Sequence, residues 1–180
     1  MAKNIEIKAR IPRVEALIPR AASLADQGPT DIEQDDTFFR CESGRLKLRT
    51  FTHDSGELIF YRRPDQAGPK ESFYVRSPTA SPDSLREALT LAYGTAGRVI
   101  KHRKLFLVGR TRVHLDRVEQ LGDFLELEVV LDDHETSESG VLEAQALMAK
   151  LGMGPEQLID DAYVDMLNRQ SLNPRGGKSD

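Results

Sequence analysis

Residues 4–11 place Ile5, Ile7, Ala9 and Ile11 on one side and Asn4, Glu6, Lys8 and Arg10 on the other, the period-two pattern of a half-buried strand. The alternation returns in residues 45–51, 57–63, 70–76, 98–108, 110–117 and 124–131, and Asp36 to Cys41 is a further strand-like run. Turn-forming residues separate these runs at Ser43-Gly44, His53-Asp54-Ser55-Gly56, Gly109 and Leu121-Gly122-Asp123. Three longer helical segments interleave with the strands. Val14 to Ala25 carries Leu17 and Leu24 on one side, with Pro19 expected to kink or restart it. A second helix opens at Ser81-Pro82-Asp83, where the missing N–H of proline costs nothing, and runs to Tyr93 before Gly94. A third covers Glu135 to Leu151, followed beyond Gly152 to Pro155 by short helices around Glu156 and from Ala162 to Arg169. The pattern predicts an α+β fold: an eight-stranded, mostly antiparallel β-barrel with helices after strands one, five and eight packed on the outside. No composition shift divides the chain, so residues 1–170 are read as one domain and 171–180 as a disordered tail. The turn-rich Pro64 to Pro69 has the composition of a lid.

The second face of these strands is charged. It carries Glu6, Lys8, Arg40, Lys47, Arg49, Arg63, Lys70, Lys101, Arg103, Arg112, Asp116, Glu126 and Glu128. If that face pointed to solvent, the apolar face would fill the barrel and the helices would have little to cover. With the helices on the apolar face, the charges line the lumen, where an eight-stranded barrel has room for side chains or one small ligand. Ionised groups in a dry lumen would each cost several kcal/mol, so the lumen must be hydrated and filled by something of complementary charge. Arginine forks suit bidentate phosphate contacts. The four carboxylates would repel such an anion unless a divalent cation lay between them, and hard oxygen ligands point to Mg²⁺ or Mn²⁺. The charges therefore predict a metal-dependent tunnel for a triphosphate.

Composition narrows the rest. The 180 residues are 39 % hydrophobic and 30 % charged, as in an ordinary soluble globular protein. There is no apolar run of about 18 residues, and the charged, alternating start from Lys3 reads as strand rather than signal peptide, so no membrane contact and a cytoplasmic location are expected. A single cysteine, Cys41, excludes an internal disulfide and the common cysteine-based zinc cages, and reads as a small apolar residue. A net charge of -4 and a pI of about 5.6 speak against a dedicated nucleic-acid binder.

Asn4-Ile5-Glu6-Ile7-Lys8 resembles the amino-terminal Glu-x-Glu-x-Lys signature of the CYTH superfamily, the triphosphate tunnel enzymes that include class IV adenylyl cyclases and thiamine or inorganic triphosphatases. The resemblance continues through Arg45 to Arg49, Lys101-His102-Arg103, Arg112 to Asp116 and Gly122 to Glu128, and spans residues 4 to about 168. It implies that Lys8, Arg40, Lys47, Arg49, Arg63, Lys70, Lys101, Arg103 and Arg112 bind substrate phosphates, that Lys8, Arg63 and Arg112 act in the catalytic step, and that Glu6, Asp116, Glu126 and Glu128 hold Mg²⁺ or Mn²⁺. Asn4 departs from the signature, because an amide supplies no charge where the first glutamate is expected. The Leu121-Gly122-Asp123-Phe124 turn looks more like the adenylyl cyclase branch, which converts ATP to cyclic AMP and pyrophosphate. The alternatives are a triphosphatase acting on an organic or inorganic triphosphate, and a non-catalytic module that binds nucleotide or polyphosphate. Too few helices cover the apolar faces, which leaves one sheet free for a homodimer.

Blander readings apply elsewhere. His114 reads as a structural or phosphate-neighbouring histidine rather than a general base, and His53, His102 and His134 show no ligand spacing. Asp35-Asp36, Asp132-Asp133 and Asp160-Asp161 read as solvated turns. Tyr61 and Tyr74 serve equally as packing or substrate contacts. Glu126 and Glu128 have the separation of a glycosidase acid/base pair, but the surrounding arginines would keep both ionised.

Overall fold

A computed structural model describes residues 2–64 and 68–173. Eight antiparallel strands close into a ring: β1 (Ala2–Ile11), β2 (Gln27–Phe39), β3 (Arg45–Thr52), β4 (Ser55–Arg62), β5 (Lys70–Thr79), β6 (Thr95–Val108), β7 (Thr111–Val118) and β8 (Gly122–Leu131). Their order is β5-β4-β3-β2-β6-β7-β8-β1, and pairing of β1 with β5 joins the ends. A two-residue strand, β9 (Leu158–Ile159), takes the remaining edge of β1 at Lys8 and Ala9. The helices are α1 (Val14–Leu24), α2 (Pro82–Tyr93), α3 (Ser137–Lys150) and α4 (Tyr163–Leu172).

The predicted eight-stranded barrel with outer helices is present, and the apolar face is the outer one. Ile5, Ile7, Val113, Leu115, Leu125 and Leu127 are fully buried under Val14, Leu17 and Ala21 of α1 and Ala144, Leu147 and Met148 of α3. Each such side chain contributes roughly 1.5–3 kcal/mol of burial, so one half of the ring is fixed by its outer coat and its inner face can afford charge. The coat is pinned to the strands: Asp123 Oδ2 in β8 accepts the Val14 N–H at the start of α1, at 2.7 Å.

Three expectations change. β2 begins at Gln27, well before Asp36, because its first half pairs with the long β6 through the ladder while showing its acids to solvent, which hides the alternation. Pro19 neither breaks nor restarts α1, which runs as one 11-residue helix. Ser171 and Leu172, expected to open a tail, are the last residues of α4; residues 174–180 and the central 65–67 of the lid-like loop lie outside the described residues.

Candidate functional site

The inner faces enclose a cavity of about 280 Å³. Its lining is graded along the strands. One end is closed by α4: Tyr163 packs against Phe124 with ring centroids 4.9 Å apart and the planes tilted by 56°, and Phe38, Val99 and Val164 are buried beside it. At the other end Phe51 is 36 % exposed and the Arg76 side chain 49 %, which marks the mouth. Between the two lie the charges.

One wall is cationic. Lys47, Arg49, Lys101 and Arg103 project inward from β3 and β6. Asp36 on β2 holds two of them: Arg49 Nε and Nη2 donate to its two oxygens at 2.8 Å each, and Lys47 Nζ lies 3.0 Å from Oδ2. Burial opposes charge on Asp36, but Arg49 and Lys47 outweigh it and hold the carboxyl well below the usual range. Burial and the neighbouring Arg103 push the Lys101 ammonium down to about 7. Arg103 is fixed in turn by Asp116, through Nε at 2.6 Å and Nη2 at 2.7 Å, and Tyr163 Oη donates to the same Asp116 at 2.9 Å.

The opposite wall is acidic. Glu126 and Glu128 on β8 face His114 of β7 and, through strand register, Lys8 and Glu6 of β1. Each carboxylate is shared among several neighbours, Glu126 Oε1 also accepting from Arg103 Nη2 at 3.4 Å. Glu126 Oε2 lies 3.3 Å from Lys8 Nζ while Oε1 lies 3.5 Å from His114 Nδ1; Glu128 Oε2 lies 3.0 Å from Arg112 Nη2 while Oε1 lies 3.9 Å from the same Nδ1. Burial, followed by Glu126 and Glu128, pushes the Glu6 carboxyl up to about 7, although Arg63 Nη1 sits 3.4 Å away. Burial and Arg103 lower the His114 imidazole below its ordinary value, so it is neutral at pH 7.

Most of the sequence-predicted residues converge here, with three exceptions. Arg40 is exposed and outside the cavity: β2 ends at Phe39, and the chain turns out with the Arg40 N–H on the Gly94 carbonyl at 3.1 Å. Lys70 is buried but does not line the cavity; its ammonium donates to the Asp160 carbonyl at 2.8 Å. Asp116 is not among the residues lining the cavity; its oxygens are engaged by Arg103 and Tyr163 at zero exposure. Two residues depart from the bland reading in the other direction. Asp36 is a buried wall residue and not a solvated turn, whereas its neighbour Asp35 does face outward, pairing with Arg98. Tyr163 was invisible from the strand pattern because it comes from a helix start; only its place after the acidic Asp160-Asp161 pair marks it. Tyr61 and Tyr74 both line the cavity.

The fit to a divalent cation rests on atoms left without partners. Among the described residues the buried, unpaired side-chain polar atoms are Asn4 Oδ1, Gln34 Oε1, Arg112 Nε and His114 Nδ1, and all four residues line this cavity. Buried polar groups are rarely left unpaired, so their gathering on one cavity marks a place where a ligand completes the bonding. Donor atoms of His114, Glu126 and Glu128 lie within 4.8 Å of one another. Carboxylate oxygens with an imidazole nitrogen suit a divalent metal, and the residues present fit one.

Comparison with known proteins agrees with this geometry. An adenylate cyclase CyaB from Aeromonas hydrophila is 26 % identical over 168 residues, covering 89 % of this chain and 86 % of its own. Among solved structures, the PH1012 protein of Pyrococcus horikoshii superposes with a TM-score of 0.80 at 23 % identity, over 90 % of this chain and 98 % of its own. HpAC1 from Hippeastrum, described as a proposed adenylyl cyclase with a dominant triphosphatase activity, reaches 0.65 at 15 % identity, over 95 % and 96 %. A family model described as the CYTH domain matches residues 2–163, from the first residue of β1 to the tyrosine at the closed end of the cavity; all of the cavity lining but Val164 lies inside the matched stretch, and the chain belongs to the CYTH family.

Proposed function

We propose that the protein is a metal-dependent enzyme acting on a nucleoside triphosphate bound in the tunnel, with conversion of ATP to cyclic AMP and pyrophosphate as the first reading. The observation that carries it is the division of one cavity into a cationic wall and an acidic wall, with every unpaired buried polar atom of the described residues on its surface. Arg49, Lys47, Lys101 and Arg103 would bind the phosphate chain, with the Arg49 fork taking oxygens in place of Asp36. Glu126 and Glu128 would hold Mg²⁺ or Mn²⁺, with Glu6 beside them. A bound cation supplies charge neutralisation at the reacting phosphorus and its leaving oxygen. In the cyclase reaction the ribose 3′-hydroxyl would lose its proton to water as its oxygen bonds to the α-phosphorus, the bond from that phosphorus to the oxygen bridging to the β-phosphate would break, and pyrophosphate would depart against Arg49 and Arg103, whose fixed guanidiniums would stabilise the charge as it develops.

A nucleoside is favoured over a bare triphosphate by the collar above the charges. Ile32, Phe51 and Leu105 are each one inward-facing step beyond Gln34, Arg49 and Arg103, toward the mouth. An apolar and aromatic rim over a charged floor suits a base attached to a phosphate chain. The second reading, hydrolysis by water at the terminal phosphorus, is supported by the activity in the name of the Hippeastrum relative.

Product analysis tests the reading. Purified protein is incubated with ATP, and separately with tripolyphosphate, plus Mg²⁺ or Mn²⁺. Cyclic AMP with pyrophosphate supports the cyclase, orthophosphate supports the hydrolase, and tight binding without turnover leaves a sensor. Absence of binding to either compound overturns the tunnel reading.

A further inference from the structure

We propose that His114 is a direct ligand of the tunnel's divalent cation, through Nδ1, and that it tilts the site toward Mn²⁺ and other first-row transition ions over Mg²⁺. The inference rests on the tunnel being a cation site, as proposed above, and adds which chain atoms make it and which ion they select.

The geometry carries the argument. His114 is 4 % exposed, on the fully packed β7, and its Nδ1 has no hydrogen-bond partner while pointing at Glu126 Oε1 (3.5 Å) and Glu128 Oε1 (3.9 Å). The Oε2 oxygens of the two carboxylates are engaged by Lys8 and Arg112, and Arg103 Nη2 reaches Glu126 Oε1 only at a long 3.4 Å. Each glutamate therefore turns its Oε1 to the side where the imidazole offers one nitrogen, that of Glu126 exchanging the long Arg103 contact for the ion. Neighbouring ligands of a six-coordinate ion with bonds of about 2.1 Å are about 3 Å apart and opposite ones about 4.2 Å, so small side-chain adjustments bring these three atoms onto one ion. Two monodentate carboxylates and an imidazole form a site with less negative charge and more nitrogen character than a set of carboxylates alone. Mg²⁺ prefers an all-oxygen shell and keeps its waters, whereas imidazole nitrogen suits transition ions.

The competing account is that Nδ1 carries a proton and leans loosely on Glu126. The two accounts separate in a spectrum that does not depend on turnover. Mn²⁺ is titrated into the full-length protein without triphosphate, free Mn²⁺ is followed by electron paramagnetic resonance, and nitrogen modulation of the bound ion is recorded on protein with natural and with ¹⁵N-labelled histidine. The expected result is a histidine nitrogen coupling that changes with the label, and displacement of Mn²⁺ only by a Mg²⁺ excess of about tenfold or more. His53, His102 and His134 do not line the cavity, so the coupling reports His114. His114→Leu is expected to abolish the coupling and weaken Mn²⁺ about tenfold or more, with Mg²⁺ affinity changed less than about threefold; the wild-type spectrum stands even if that variant folds poorly. Bound Mn²⁺ without histidine coupling overturns the role of His114 and leaves the tunnel reading intact. No Mn²⁺ binding, with or without tripolyphosphate, overturns both.

Discussion

Asp36 is a built-in counter-ion for Arg49 and Lys47, the cations proposed to hold phosphate, and replacing it by asparagine exposes that role. Its carboxylate takes both forks of Arg49 at 2.8 Å and Lys47 at 3.0 Å, at 1 % exposure. Asp36→Asn keeps the shape, removes the charge and turns an amide NH₂ toward two cations. Removing one partner of a buried ion pair costs about 3–5 kcal/mol, because the remaining charge stays buried and uncompensated. In a chain of this size each kcal/mol moves the melting temperature by roughly 2–4 °C, so a fall of about 6–20 °C is expected. A polyanion supplies the missing charge, so excess tripolyphosphate should raise the melting temperature of the variant by more than it raises the wild type. The sign with pH follows from the depressed carboxyl: folding gains from ionised Asp36 above its unfolded pKa of about 3.9, and that gain is lost as pH falls toward the folded value. Variant and wild type should therefore converge in acid. Thermal unfolding followed by circular dichroism, with and without tripolyphosphate from pH 7 down to about 3, measures all three. A variant that melts within about 2 °C of wild type at pH 7 without ligand, and gains no more from tripolyphosphate, refutes the counter-ion role.

Other outcomes follow from the same walls. Arg49→Ala should weaken metal-free tripolyphosphate binding by about tenfold or more in calorimetry, since a charge-assisted hydrogen bond is worth about 1.5–3 kcal/mol. Glu126→Gln should raise the metal concentration needed for half-maximal activity, read in a Mn²⁺ titration at saturating ATP. Tyr163→Phe should cost about 1.5–3 kcal/mol in urea unfolding by removing the hydrogen bond to charged Asp116, and Asp116→Asn should cost more because it also strands Arg103. Lys101 is pushed down to about 7 in the folded protein, so between that value and its unfolded pKa of about 10.4 the unfolded chain binds the extra proton and this group makes stability rise with pH. A bound polyanion restores the ammonium, and calorimetry at pH 8 in buffers of differing ionisation enthalpy should show net proton uptake; none, or release, contradicts the placement of Lys101 beside phosphate.

The ring was legible because period-two alternation survives wherever one strand face meets helices and the other meets charge, as in β1, β7 and β8. The inward direction of the charged face followed from asking what α1 and α3 would otherwise cover. The first half of β2 was not legible, because Asp31, Glu33 and Asp35 point to solvent on an arm held by β6 and carry no apolar rhythm. Within the site, charge type along a strand identified Lys47, Arg49, Arg103, Glu126 and Glu128, but not which cation each acid would face. Pairing across the ring decided that. It gave Asp36 to Arg49 and Asp116 to Arg103, and it left His114 with the two glutamates. Arg40 continued the alternation of β2 on paper, yet the strand stops one residue before it.

Tyr163 has a consequence for traffic. With Lys8 Nζ 3.9 Å and Lys101 Nζ 5.0 Å from its ring centre, it is held as a floor by the cations it underlies. Among the described residues the passage is thus blind, and whatever enters past Phe51 and Arg76 leaves by the same door. A long polyphosphate cannot thread through and be clipped processively; only its end can be seated, to a depth set by the floor. For the proposed reaction this means the deepest phosphate would leave last, so retained pyrophosphate or orthophosphate should compete directly with the next substrate.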